Sequence, residues 1–262
     1  MSDTETASAA AGARPALALD HLVVAATTLD DGIAWCERTL GDVPQAGGRH
    51  AFMGTHNRIL SIASARFPRA YLEVIAIDPD GVAPAHPRWF GLDEPALRRA
   101  LEAGPRLIHW VARCDDVRVV AAGFRTAGFD PGEIVNAERA TPQGLLRWQI
   151  SVRPDGRRLA DGAVPTLIEW GDVHPAASLP ASGCALVGFR LPAGPAGPLD
   201  ALLGAAAAGV DDAAGGATSR SARASASERL ASVSNPVAAP IVATLDTPRG
   251  QVVLESIRLA PG

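Results

Sequence analysis

The sequence predicts an α+β fold built from repeated βαβββ modules, with mixed sheets curled round a central cleft. Three observations predict it. A strand–helix–three-strand rhythm runs through residues 17–80 and restarts over 106–175. Both runs open on a strand with a histidine near its middle, then an acidic turn, then a helix that ends in glycine. The closing strands YLEVIAID, LIEWGDVH and VLESIRLA each carry a glutamate inside an apolar stretch. Self-similarity of this kind points to architecture before any motif does.

The first strand is LALDHLVVA, residues 17–25. Thr28 is placed to cap the helix that follows, with Asp31 three residues on. Ile33, Trp35, Cys36 and Leu40 give that helix an apolar face, and Gly41 ends it. Strands are expected at HAFMGT (50–55), NRILSIAS (57–64) and AYLEVIAID (70–78). A Pro-rich aromatic segment containing Trp89 and Phe90 links the modules and leads into a short helix, PALRRALEAG. The second module opens on RLIHWVARC. A helix follows over 115–127, with Val117, Val120, Ala121 and Phe124 on one face and Gly128 as its stop. GEIVNAER, LLRWQISV and TLIEWG complete the module. Residues 183–262 form a weaker third cycle: CALVGFRLP as a strand, PLDALLGAAAAG as a poor helix, then SARASASERL, PIVATLDT and GQVVLESIRL as strands. Residues 1–16, polar and Ala-rich, are expected to be a disordered tail.

A chain of 262 residues with 47% apolar content buries a sizeable core as one large domain or two small ones. It carries no lysine, and its arginines are scattered with no basic stripe, so nucleic acid is not an expected partner. Neither a secretory h-region nor an apolar run near the length of a membrane span is present, which makes a cytoplasmic location the expectation. Cys36, Cys114 and Cys184 lie far apart and read as buried free thiols.

A charged residue inside an apolar strand is costly unless paired, hydrogen-bonded or bound to metal. Alternation puts Leu19, His21 and Val23 on one face, and likewise Tyr71, Glu73 and Ile75, Leu107, His109 and Val111, and Leu167 and Glu169. Two histidines and two glutamates are competent ligands for Fe, Mn, Zn, Ni or Co. Satisfied core histidines and Glu–Arg pairs are the competing reading. No GxGxxG after a strand, GxxxxGK[ST], GxSxG or HExxH occurs.

The stretches LDHLVVAATTLDDGIAWCERTLG, GTHNRIL, YLEVIAID and IEWGDVHP resemble the glyoxalase-like domain proteins of the vicinal oxygen chelate superfamily, which includes glyoxalase I and the extradiol dioxygenases. The resemblance covers residues 17–175. It implies two modules with a divalent metal between them, held by His21, Glu73, His109 and Glu169, with Glu73 as ligand or base. The implied activity is isomerase, lyase or dioxygenase chemistry on a small substrate with vicinal oxygens. A metal-free protein that binds or sequesters a small molecule in the same cleft is the alternative, and the sequence allows a homodimer. The third cycle has Leu186 or Val187 where a histidine would fall, although Glu255 echoes the glutamate, so no ligand is expected from it. Further candidates are His174 as a general base at the cleft mouth, and His56, Arg147 and Gln149 as lining of the substrate pocket.

Overall fold

The computed structural model describes residues 17–141, 144–191 and 241–257. The expected tail and the segments 198–209 and 221–230 lie outside them. The first module runs β1 (Ala18–Ala25), α1 (Leu29–Thr39), β2 (Gln45–His50), β3 (Thr55–Ser61) and β4 (Tyr71–Ile77). A linker and α2 (Pro95–Glu102) lead to the second: β5 (Arg106–Arg113), α3 (Val117–Thr126), β6 (Glu133–Thr141), β7 (Gly144–Val152) and β8 (Thr166–Trp170). Both expected helices form where their caps lie. Thr28 Oγ1 accepts from the Asp31 amide, and Asp116 accepts from the amides of Arg118 and Val119. One boundary moves: the strand expected at 50–55 is β2, ending at His50, and residues 51–54 turn back into β3.

The eight strands form one mixed sheet in the order β2-β3-β4-β1-β5-β8-β7-β6. β1 and β5, the opening strands of the two modules, lie side by side and antiparallel, and each is flanked by its own module's closing strand in parallel. The two halves therefore repeat about the β1–β5 seam. The sheet curls until its edge strands meet: the Arg139 side chain of β6 lies over Gly48 of β2, where an added Cβ would come within 1.5 Å of Nη1.

Two apolar clusters sit on the sheet's two faces. The outer one holds Leu22, Val24, Leu72, Trp110 and Leu167 against α1 and α3. It also holds Leu186, Phe189, Ala243 and Leu245 from a separate three-stranded sheet, β9 (Ala185–Arg190), β10 (Val242–Thr247) and β11 (Gly250–Glu255). The inner cluster holds Val23, Ile75, Val111, Trp148, Ile150 and Ile168 and is plugged by Trp89, Phe90 and Leu97. Phe90 adopts φ 59, a left-handed conformation rare for a bulky residue, which turns the linker over the concave face. All three cysteines are free and buried.

The seam between β1 and β5 is irregular twice. Leu19 pairs with Ala112 and His21 with Val111, so Asp20 is an extra residue; Val23 pairs with His109 and Val24 with Leu107, so Ile108 is an extra residue. Each strand thus bulges at the residue before its histidine. A bulge shifts the phase of alternation. Leu19 and Leu107 consequently join the outer cluster while Val23 and Val111 join the inner one, which corrects the expectation that each pair shares a face with the histidine between them. Arginines serve both irregular stretches, Arg113 donating to the Leu19 carbonyl and Arg158 to the Ile108 carbonyl.

Candidate functional site

The bulge in β1 has a chemical result. Neighbours on a regular strand point to opposite faces, but here Asp20 and His21 turn toward each other, and Asp20 Oδ1 lies 2.7 Å from His21 Nδ1. Asp20 is completely buried. Its other oxygen, Oδ2, accepts from Trp170 Nε1 at 3.0 Å and meets His174 Nε2 at 2.8 Å. Burial alone would raise this carboxyl, but the hydrogen bonds from His174 and His21 hold it well below the usual carboxylate range. Asp20 is therefore ionised, His21 donates its Nδ1 proton to it, and Nε2 is left facing the cleft.

Opposite that nitrogen stands Glu73 of β4, with Oε2 3.6 Å from His21 Nε2. The gap is too long for a hydrogen bond, and short enough for one small group to touch both. Glu73 Oε1 accepts from Asn57 Nδ2 at 2.5 Å and lies 4.0 Å from His50 Nε2. The Tyr71 ring stacks on His21 at 4.5 Å. Burial, with the nearby Asp20 and Glu73 charges, pushes the Tyr71 phenol well up and keeps it neutral. Burial also pushes His50 down to about 4, against the pull of Glu73, so His50 is neutral as well. The walls are completed by Trp89, Phe90, Arg139, Leu146, Trp148 and Trp170.

The second half repeats the geometry without the chemistry. Val23 pairs with Glu73 and its counterpart Val111 pairs with Thr166, so Thr166 occupies the place of Glu73. His109 Nε2 accepts from the Thr166 amide and lies 3.2 Å from Thr166 Oγ1. Ile108 stands where Asp20 would, and His109 Nδ1 is accordingly buried with no partner among the described residues. Burial, then the charge of Arg158, push His109 down to about 3.

Several expected site residues lie elsewhere. Glu169 is three residues beyond Thr166, an odd number, and so turns to the other face. Its Oε2 accepts from the Val117 amide at the start of α3. His21 and Glu169 do not share a pocket. His174 has both ring nitrogens engaged, Nδ1 by the Ala176 amide and Nε2 by Asp20, so it positions Asp20 and has no free lone pair to act as a base. Arg147 and Gln149 do share a face, but it is the outer one: Arg147 is exposed and pairs with Glu138, and Gln149 accepts from Arg118 of α3. His56 lies beside Asp78, 3.9 Å away, one residue out of phase with Asn57, which does enter the cleft. Glu255 is exposed. Asp20, His50 and Arg139 belong to the cleft and were not singled out by the sequence.

The implied divalent metal would need four ligands that converge. His21 and Glu73 converge, with His50 nearby; His109 is held by Thr166 and Glu169 faces away. Among the described residues no group of three or more histidine, cysteine, aspartate or glutamate side chains is placed to hold a metal ion. The four-ligand set does not assemble.

Residues 19–204 match the model of a protein family described as "Glyoxalase-like domain". No curated protein matches. Among solved structures, methylmalonyl-CoA epimerase from Mycobacterium tuberculosis is 16% identical with a TM-score of 0.35, over 62% of this chain and 91% of that one. A Streptomyces coelicolor methylmalonyl-CoA epimerase in complex with 2-nitronate-propionyl-CoA is 18% identical with a TM-score of 0.37, over 60% and 96%. A hypothetical protein from Staphylococcus aureus is 16% identical with a TM-score of 0.41, over 66% and 68%.

Proposed function

Because this chain belongs to the glyoxalase-like domain family of the vicinal oxygen chelate superfamily, we propose that it is a small-molecule enzyme that moves a proton at a carbon next to a carbonyl, in isomerase or lyase chemistry. The observation that carries this reading is the buried line His174–Asp20–His21 aimed at Glu73. A base oriented by a carboxylate, itself oriented by a further group, is the arrangement that general acid–base catalysis requires.

In this reading the substrate C–H bond breaks toward His21 Nε2. The proton goes to the ring, and the electron pair moves onto the adjacent carbonyl oxygen. Asp20 stabilises the imidazolium that forms and fixes its tautomer. Glu73, across the 3.6 Å gap, is the second proton carrier. Return of the proton to the carbon or to a neighbouring position gives isomerisation, and loss of a group from the next carbon gives elimination. The enzyme works on a soluble metabolite in the cytoplasm. No helix among the described residues is long and apolar enough to cross a membrane.

A second reading, metal-free sequestration of a small molecule, is favoured by the tryptophans at positions 89, 148 and 170 that wall the cleft. One experiment separates the two. Small 2-oxo and 2-hydroxycarbonyl compounds are incubated with the protein in D2O, and carbon-bound deuterium is followed by NMR. Exchange is expected, and it should persist after EDTA treatment and disappear in His21→Ala. Binding without exchange would favour sequestration, and exchange lost with EDTA would restore the metal reading.

A further inference from the structure

Arg139 enters this cleft from β6, beside Tyr71 and Glu73. Its Nε is buried without a partner, and among the described residues it forms no hydrogen bond or ion pair. An arginine carries five N–H donors in a rigid fork, and leaving even one of them dry and unpaired is costly. The fold nevertheless makes room for it. At Gly48 an added Cβ would lie 1.5 Å from Nη1 and 2.3 Å from Cζ, so only glycine leaves the guanidinium its berth. A second unpartnered donor, Trp89 Nε1, lines the same cleft. Among the described residues neither Arg139 Nε nor Trp89 Nε1 has an acceptor.

We infer that Arg139 is the carboxylate-recognition residue of the cleft, and that the substrates are small monocarboxylic acids with an acidic C–H within reach of His21. A planar fork matches a carboxylate through two parallel hydrogen bonds. A single guanidinium, beside the Asp20 and Glu73 carboxyls, pairs with a monoanion at less repulsive cost than with a phosphate dianion. The aromatic walls of Trp89, Trp148 and Trp170 favour a small ligand with an apolar remainder. Glu73 is close enough to act on Arg139 electrostatically, yet no ion pair joins them; the space between is where a bound acid would bridge the binding group and the proton-transfer pair.

The inference rests on the proton-transfer reading for its choice of substrate, and the test keeps the two apart. Pyruvate and acetoacetate, their methyl esters, and inorganic phosphate are titrated into the full chain, with quenching of tryptophan fluorescence as the readout. The acids are expected to quench saturably; the esters and phosphate are not. Arg139→Gln should weaken binding of the acids about tenfold to a hundredfold. Gly48→Ala, which displaces the guanidinium without touching His21 or Glu73, should weaken it as well, with circular dichroism confirming that both variants are folded. His21→Ala should still bind acids. Esters that bind as well as acids, no saturable quenching by either acid, or two folded variants that bind like the wild type would each overturn the proposal. If acids bind through Arg139 and no deuterium enters them, the carboxylate site stands and the proton-transfer reading falls.

Discussion

Replacing Asp20 with asparagine preserves the size of the side chain and removes its charge. The amide no longer fixes the His21 tautomer or stabilises its cation, so deuterium exchange should fall about a hundredfold or more. Conversely His109→Gln should leave exchange close to wild type, because His109 is committed to Thr166 and lacks an acid at position 108. Equal losses in the two variants, measured side by side, would mean that the halves of the molecule share the work. His21 and Glu73 were legible in the sequence because a charged residue in an apolar strand stands out. Asp20 was not, since alternation assigns the neighbour of an inward residue to the opposite face, and only the bulge brings the two together. His50 was hidden at the end of a strand whose bounds read differently. Arg139 sits in a strand of alternating exposure, and its berth is made by a glycine from the other edge of the sheet.

At the scale of elements, α3 shows what Glu169 does. Asp116 takes the amides of Arg118 and Val119, and Glu169 takes that of Val117. Glu169→Gln weakens a charged contact at the helix start, so thermal denaturation should show a loss of about 0.5–2 kcal/mol with exchange unchanged. A loss of activity in this variant would return Glu169 to the site. The repeat itself was legible: strands, helices and caps fall close to where periodicity puts them. The register of β8 was not. Both closing strands carry a glutamate, but pairing with β1 and β5 makes Thr166 the counterpart of Glu73, and an offset of three residues sends Glu169 to the helix side.

For the whole molecule, two buried histidines predict the response to acid. Burial holds His109 at about 3 and His50 at about 4, against 6.5 when exposed. Below pH 6.5 the unfolded chain takes up protons that the folded chain refuses. Stability is therefore full above pH 6.5 and falls as the pH drops toward 4, by about 1 kcal/mol per unit for each histidine. Asp20 adds to the loss below its ordinary value of 3.8, because its folded form stays ionised. Urea midpoints measured between pH 7 and 4.5 should show this slope, and His109→Gln should remove about half of it; an unchanged slope would rule out His109 as a cause. The pairing of an aspartate with His21 and of an isoleucine with His109 also governs counting. Although the chain repeats itself, a titration to saturation should find one ligand per polypeptide, since the second half offers the shape of a site and none of its proton carriers. Where a symmetric molecule would fill in two steps, this one fills in a single step, without cooperativity within the chain.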